Sequence, residues 1–399
     1  MKRDSGAAGA ATGSGDPFLL LGDGGRRPFD ATALERELRA LWKAPQGGKA
    51  PPEGKASPEG TAFYRAALAN LIVPLATQDF DRLSAVCGEV SRRYPARVFR
   101  IQRADEGDAG AVGGAGLPGA GAARLLARAT ALCHLLEGGE GGGGFVCSEQ
   151  ILLGWTDASA PLLPSAVRSL LIGDLPVILL ALSPRPEPPW MEALAGKADL
   201  VIADSGVETE PSAMTAVWER TGRHGTPMRD LAWARLEPWR SLLAELFDAP
   251  EASAAIGSIR DLTITYGGAA PPSGAWLLAA WMASRLGWRL ASRDGTLWRF
   301  RRNASTVDVT LARDEEERAP VLRAVQVRAA GAHALNLRIE HRERDQTARV
   351  EQVAPRHSVR EFPFAHRDLA RVIVGEIQRQ EPNPTFHEAA SLARAMIAA

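Results

Sequence analysis

Lysine is nearly absent from this 399-residue chain: of 47 Lys and Arg residues only five are Lys, the last being Lys197, which leaves 47 − 5 = 42 Arg. That skew is compositional and carries no phosphate chemistry by itself. Cysteine is scarcer still, at Cys87, Cys133 and Cys147. Three cysteines in so long a chain predict no disulfide framework, and an odd count suits a reducing cytosol. Net charge is missing too. The 47 basic residues balance 47 acidic ones, which disfavours a protein built to coat nucleic acid or an anionic membrane. No apolar run approaches the roughly 20 residues that cross a bilayer. The longest, over residues 169–182, is broken by Gly173, Asp174 and Pro176. The Gly/Ala/Ser-rich start lacks the apolar core of a secretory signal. These absences predict a cytoplasmic protein with neither a nucleic-acid nor a membrane partner.

What is present is ordinary for a globular protein, with 45% hydrophobic and 24% charged residues, and the length suggests two domains. Residues 1–16 read as a disordered tail, and residues 17–60 as an N-terminal helix, capped by Asp30, followed by a Pro/Gly-rich linker. Residues 61–250 alternate apolar strand-like runs with helical ones, which predicts a mostly parallel sheet covered on both faces. Within them, residues 230–247 read as one amphipathic helix that Pro238 should kink or restart. Residues 251–399 differ: strands follow one another from Trp288 to Val353, an antiparallel meander, and two helices close this α+β domain.

Catalytic motifs are few. Gly114-Ala-Gly116-Leu-Pro-Gly119 matches G-x-G-x-x-G, but some ten residues separate it from the preceding strand and Pro118 interrupts the helix start. A chance match in a glycine-rich loop is the simpler account. There is no P-loop, no H-x-x-x-H, no C-x-x-C and no G-x-S-x-G. Cys133 and His134 are adjacent, so on a strand they point to opposite faces and do not pair as thiolate and base. His333 and His341 fall in the strand region, where solvent-facing histidine is unremarkable. No catalytic, cofactor-binding or metal-binding residue is expected. Asp204-Ser205-Gly206 follows a strand at its carboxyl end, where α/β proteins often hold ligands, although an ordinary turn has the same composition. Ser148-Glu149 is a polar pair on another predicted strand. Tryptophan sorts the chain, since eight of ten lie at or beyond residue 190. Trp233 and Trp239 diverge by about 120° on a continuous helix, which allows one to be buried while the other sits at a domain or partner surface. With Arg235 and Arg240 they form the Trp/Arg mixture that anchors protein interfaces.

The run Asp230-Leu-Ala-Trp233-Ala-Arg235-Leu-Glu-Pro-Trp239-Arg240 resembles the DLxWxRLxxWR signature of the OpcA family of glucose-6-phosphate dehydrogenase assembly proteins. Agreeing segments appear in order, among them Pro95-Ala-Arg97-Val98, Cys147-Ser-Glu149-Gln-Ile151, Ala198-Asp199-Leu-Val-Ile-Ala-Asp204-Ser205 and Trp281-Met-Ala-Ser-Arg285. The resemblance spans about residues 30–395. It implies a Rossmann-like first domain and an α+β second domain. It also implies a non-catalytic cytoplasmic activator whose partner is glucose-6-phosphate dehydrogenase, with no cofactor of its own. In cyanobacterial members the activation is linked to thiol redox state; without a C-x-x-C pair, that control is not carried over here. Trp233, Arg235, Trp239, Arg240, Ser148 and Glu149 are the candidate partner-binding residues, forming either the interface or the domain junction that shapes it. The alternative is an α/β ligand sensor or enzyme with a sugar-phosphate or nucleotide site near Ser205. Splitting the charge at residue 250 gives 26 basic against 30 acidic residues, then 21 against 17, so zero is the sum of about −4 and +4.

Overall fold

The computed structural model describes residues 18–21, 25–42, 62–76, 79–104, 124–136, 144–184, 187–220 and 225–399, the last span without positions 304, 343, 355, 366, 380 and 382. The expected tail over 1–16, the linker and the Gly114–Gly119 motif lie outside the described residues.

The first lobe opens with β1 (Phe18–Leu21), β2 (Arg27–Pro28), α1 (Ala31–Leu41) and β3 (Ala62–Arg65). The Asp30 carboxylate accepts from the Ala33 amide, the N-cap that the sequence predicts. Next come β4 (Asn70–Leu75), α2 (Phe80–Arg93), β5 (Arg97–Arg103), β6 (Leu126–Leu136) and β7 (Gly144–Trp155). They are followed by α3 (Leu163–Ser169), β8 (Val177–Ala181), α4 (Trp190–Ala195), β9 (Leu200–Ala203), α5 (Pro211–Glu219) and β10 (Met228–Asp230). Strands β7-β5-β4-β8-β9-β10 run parallel in that order. With β4 as the first strand this is the third-second-first-fourth-fifth-sixth order of dinucleotide-binding folds. All six residues of β4 are buried, as befits a parallel strand covered on both faces. The antiparallel β6 extends the sheet beyond β7 and carries β1 and β2 on its outer edge.

Three helices form the junction: α6 (Leu231–Arg235), α7 (Glu237–Phe247) and α8 (Pro250–Ala255). The second lobe holds β11 (Ile259–Tyr266), α9 (Ser273–Arg285), β12 (Arg289–Asp294), β13 (Leu297–Arg302), β14 (Ser305–Arg313) and β15 (Leu322–Ala329). The chain ends with β16 (Leu335–Arg342), β17 (Thr347–Ala354), β18 (Ser358–Pro363), α10 (Leu369–Gln378) and α11 (Pro384–Ala398). The sheet order is β12-β13-β14-β11-β15-β16-β17-β18, antiparallel except where β11 meets β14. The alternating burial of β14 and β16 marks one face as packed and the other as open. Helices α9 and α11 cover the packed face, and Trp298 donates its indole N–H to the Met396 carbonyl at 2.8 Å. Helix α10 instead returns to the first lobe. Its Ala370, Ile373 and Val374 share a core with Leu71 and Val73 of β4 and with Leu83, Cys87 and Val90 of α2. Among the described residues no helix is long and apolar enough to cross a membrane.

Two expectations need correction. Cys133 and Cys147 form a disulfide, with their Cα atoms 4.0 Å apart. The β6–β7 register sets these residues directly opposite each other, and such cross-strand proximity leaves no trace in the 14-residue sequence separation. Cys87 is free and buried. The second concerns Trp233 and Trp239: the helix over 230–247 restarts as Pro238 predicts, giving two helices with Pro238 in the first turn of the second, where its missing amide is no loss. The 120° divergence of Trp233 and Trp239 therefore does not apply, and both are buried.

Candidate functional site

The carboxyl ends of β9 and β10 meet the junction helices in a compact polar cluster. Asp204, just past β9, accepts from the Gly206 amide at 2.9 Å. It also takes a bidentate pair from Arg235, Nη1 to Oδ2 at 3.0 Å and Nη2 to Oδ1 at 2.5 Å. A Cβ at Gly206 would run into the Arg235 guanidinium, so any side chain there must displace that group. Asp230 caps α6, accepting from the Ala232 amide at 3.0 Å. Its carboxylate also accepts from the Ser205 amide (3.0 Å), the Ser205 hydroxyl (2.5 Å) and the Trp218 indole (3.0 Å). Burial and the neighbouring Asp204 charge push the Asp230 pKa up, against the lowering effect of the hydrogen bonds that reach it. For Arg235, burial works downward, but the Asp204 partner outweighs it and the pKa ends raised. Ser205 is fully buried and its hydroxyl is spent on Asp230, so the site expected near Ser205 does not open at that side chain.

The 230–240 segment turns out to be internal architecture. Leu231 packs in the α/β core and Leu236 in the core shared by both lobes. Arg240 donates to the Trp233 carbonyl at 2.7 Å, and its guanidinium carbon stands 3.7 Å from the centroid of the Trp233 ring. Burial pulls the Arg240 pKa down to about 10, which leaves it charged at neutral pH. Trp233 meets Phe386 of α11 at 5.7 Å, and Trp239 packs edge-on against Phe364 at 5.0 Å and near His341 at 6.3 Å. His341 is thus a packing partner, not the solvent-facing residue that the strand pattern suggests. These aromatic contacts stitch the junction helices to the second lobe.

Ser148 and Glu149 stand well away from this segment, on β7. Glu149 is 2% exposed and is bound by Arg97 (2.7 Å from Nε), by the Trp42 indole (3.0 Å) and by Arg65 (2.8 Å). Arg97 also reaches Glu35 of α1 at 2.6 Å, and the Ser148 hydroxyl accepts from the Ala96 amide at 3.3 Å. This buried network ties the N-terminal helix to the sheet. The six candidate residues therefore form two separate internal clusters; four of them are buried outright, and the two arginines of the junction are half-buried.

Beside the junction cluster lies a cavity of about 190 Å³ between the lobes. Its wall includes Gly206, Arg235, Leu236, Trp239, Ser273, Leu322, Phe364 and Arg367. Ser273 opens α9 and is absent from the residues that sequence reasoning singles out; a serine after Pro271-Pro272 gives no signal of what it faces.

Residues 87–220 match the model of a glucose-6-phosphate dehydrogenase subunit N-terminal domain, and residues 226–390 match its C-terminal domain. The order is collinear and the two spans cover about three-quarters of the chain. This chain belongs to the OpcA family. Curated OpcA relatives include a putative OxPP cycle protein of Nostoc punctiforme, 31% identical over 211 residues, which is 52% of this chain and 41% of the relative. Another, from Synechocystis sp., is 32% identical over 146 residues, 36% of this chain and 30% of the relative. The aligned segments thus span less than half the length of these OpcA relatives. Among solved structures, a 3-ketoreductase from Actinomadura kijaniata, bound to NADP and TDP-benzene, has a TM-score of 0.46 at 13% identity, covering 84% of this chain and 97% of that one. Biliverdin reductase from Synechocystis sp. has a TM-score of 0.43 at 10% identity, covering 83% and 98%. The strand order, not these likenesses, identifies the Rossmann-like lobe.

Proposed function

We propose that this chain is a non-catalytic cytoplasmic protein that binds glucose-6-phosphate dehydrogenase, supports its assembly and activates it allosterically in the oxidative pentose phosphate pathway. Family membership carries the reading, since both matched domains bear that dehydrogenase in their descriptions. Two features of the chain support a role without catalysis. The sequence between the first Rossmann strand and α2 is Ala76-Thr77-Gln78-Asp79, with no glycine for a pyrophosphate and an acid at the start of α2. The junction cluster spends Asp204, Ser205 and Asp230 on one another and on Arg235 and Trp218, leaving no nucleophile facing a base.

An activator must bind the active conformation of its partner more tightly than the inactive one, because equal affinity shifts nothing. In this reading Trp233, Arg235, Trp239 and Arg240 act by fixing the relative pose of the two lobes, so that the outer surfaces reach the enzyme as one rigid template. Ser148 and Glu149 play the same part for α1. Titrating the purified chain into glucose-6-phosphate dehydrogenase and following rate against substrate tests the proposal. A saturable fall in KM or rise in kcat near one-to-one stoichiometry is expected. An enzyme whose kinetics and sedimentation ignore the added chain overturns it.

A further inference from the structure

We infer that the cavity between the lobes is a binding site for a compact organic anion, its charged head seated on the N-terminus of α9 and its carbon skeleton against Trp239 and Phe364. The inference goes beyond the dehydrogenase reading and stands independently of it.

The first observation is the start of α9. This helix runs for 13 residues from Ser273, its N-cap is Pro272, and no side chain caps it. An uncapped helix start leaves amide donors and the positive end of the helix dipole without an anionic or hydroxyl partner. The second, independent observation is Ser273 itself. It is 0% exposed, it lines the cavity, and its hydroxyl has no hydrogen-bond partner. A buried hydroxyl without a partner is costly, so its place at this wall calls for an acceptor that arrives from outside. An oxyanion is such an acceptor, and it satisfies the helix start at the same time.

The surrounding charges agree. Arg235 and Arg367 are the guanidinium groups of the wall, and each is already matched by a carboxylate, Asp204 and Glu237 respectively. The site is therefore not an open cationic patch that would collect any polyanion. It holds one small charge. The apolar wall formed by Leu236, Trp239, Leu322 and Phe364 then favours a carbon body over a bare inorganic ion. A volume of about 190 Å³ admits a molecule of roughly the size of a substituted benzene ring and excludes a dinucleotide. The wall takes residues from the α/β lobe (Gly206), the junction (Trp239) and the second lobe (Ser273, Phe364), so an occupant would tighten the seating of the lobes on each other.

Isothermal titration and thermal unfolding of the full chain with four probes test this: phenyl phosphate, benzoate, the neutral benzyl alcohol and inorganic phosphate. Phenyl phosphate, benzoate or both should bind saturably and raise Tm, at least about tenfold more tightly than benzyl alcohol or inorganic phosphate, the difference expected of charge-assisted hydrogen bonds. Which of the two aromatic anions binds better distinguishes a phosphate head from a carboxylate head. Ser273→Ala should weaken the better probe at least about fivefold. Without probe it should leave Tm unchanged or raised, because the hydroxyl it removes has no partner. Equal binding of neutral and anionic probes, unchanged affinity in Ser273→Ala, or no binding of any probe at millimolar concentration each overturns the inference.

Discussion

The guanidinium of Arg240 lies over the Trp233 ring, 3.7 Å from centroid to Cζ, while its Nη1 donates to the carbonyl of the same residue at 2.7 Å. One side chain thereby closes the chain break between α6 and α7 by stacking and by hydrogen bonding at once. Lysine cannot do both, having no planar fork. Arg240→Lys should therefore lose about 1–2 kcal/mol, and Arg240→Ala about 2–3 kcal/mol, of unfolding free energy in urea titrations. If the junction transmits the effect on the dehydrogenase, Arg240→Ala should also blunt activation while far-ultraviolet circular dichroism stays native. Full activation by a folded Arg240→Ala would remove this segment from the mechanism.

Gly206 and Arg235 are coupled by contact. A methyl at 206 meets the Arg235 guanidinium and the Asp204 carboxylate, so Gly206→Ala must displace the bidentate pair. The expected loss is about 1–3 kcal/mol. In an Arg235→Ala background most of that loss should vanish, because the nearest obstructing group is gone and the Asp204 carboxylate is released from its ion pair. A double-mutant cycle by chemical denaturation measures it, and strictly additive losses would refute the coupling.

Asp230 gives the protein a pH-dependent term of known sign. Its folded pKa is raised by burial and by Asp204. A raised carboxyl binds its proton more tightly folded than unfolded, so this group favours the fold fully below its unfolded pKa. That contribution is lost as pH climbs through the raised value. Asp230→Asn should flatten stability against pH across that window. It should also cost about 1–3 kcal/mol at low pH, since an amide nitrogen cannot accept from the Ser205 hydroxyl or the Trp218 indole. An unchanged pH profile would assign the slope to other groups.

The three sulfurs should be countable. The Cys133–Cys147 bond is wholly buried and Cys87 is buried as well, with burial pushing its pKa up to about 11. Native protein purified without reductant should show almost no reactive thiol. Denaturation without reductant should release one thiol, and denaturation after reduction all three. Three thiols in the unreduced, denatured protein would mean that Cys133 and Cys147 are not bonded under those conditions.

What could be read from residue order, and what could not, divides by range. The helix break at Pro238, the cap at Asp30 and the apolar run of β4 depend on neighbours a few positions away, and all three appear as expected. The meander follows for the same reason, since turn residues separate consecutive strands. The disulfide depended on the register of β6 against β7, which no local pattern sets. The burial of both Trp233 and Trp239, where a continuous helix would separate them, depended on the helix break after Arg235 and on contacts such as that of Trp239 with Phe364. Glu149 looked like one half of a polar strand pair. Its role came from Arg97, Trp42 and Arg65, the last two more than 80 residues upstream. The family signature DLxWxRLxxWR was legible as a string, but its meaning as a cap, an ion-pair partner and an aromatic splice emerged only from the contacts.

Helix α10 lends its Ala370, Ile373 and Val374 to the core under β4 and α2, although nearly 280 residues separate it from α2 in the chain. A ribosome making this protein thus finishes the Rossmann-like sheet long before it delivers the helix that seals one of its faces. During that interval Leu83 and Val90 lack part of their cover, and the nascent lobe must wait, guarded or half-packed, for residues far downstream. Shortening the chain after β18 should consequently impair the half of the molecule that is translated first.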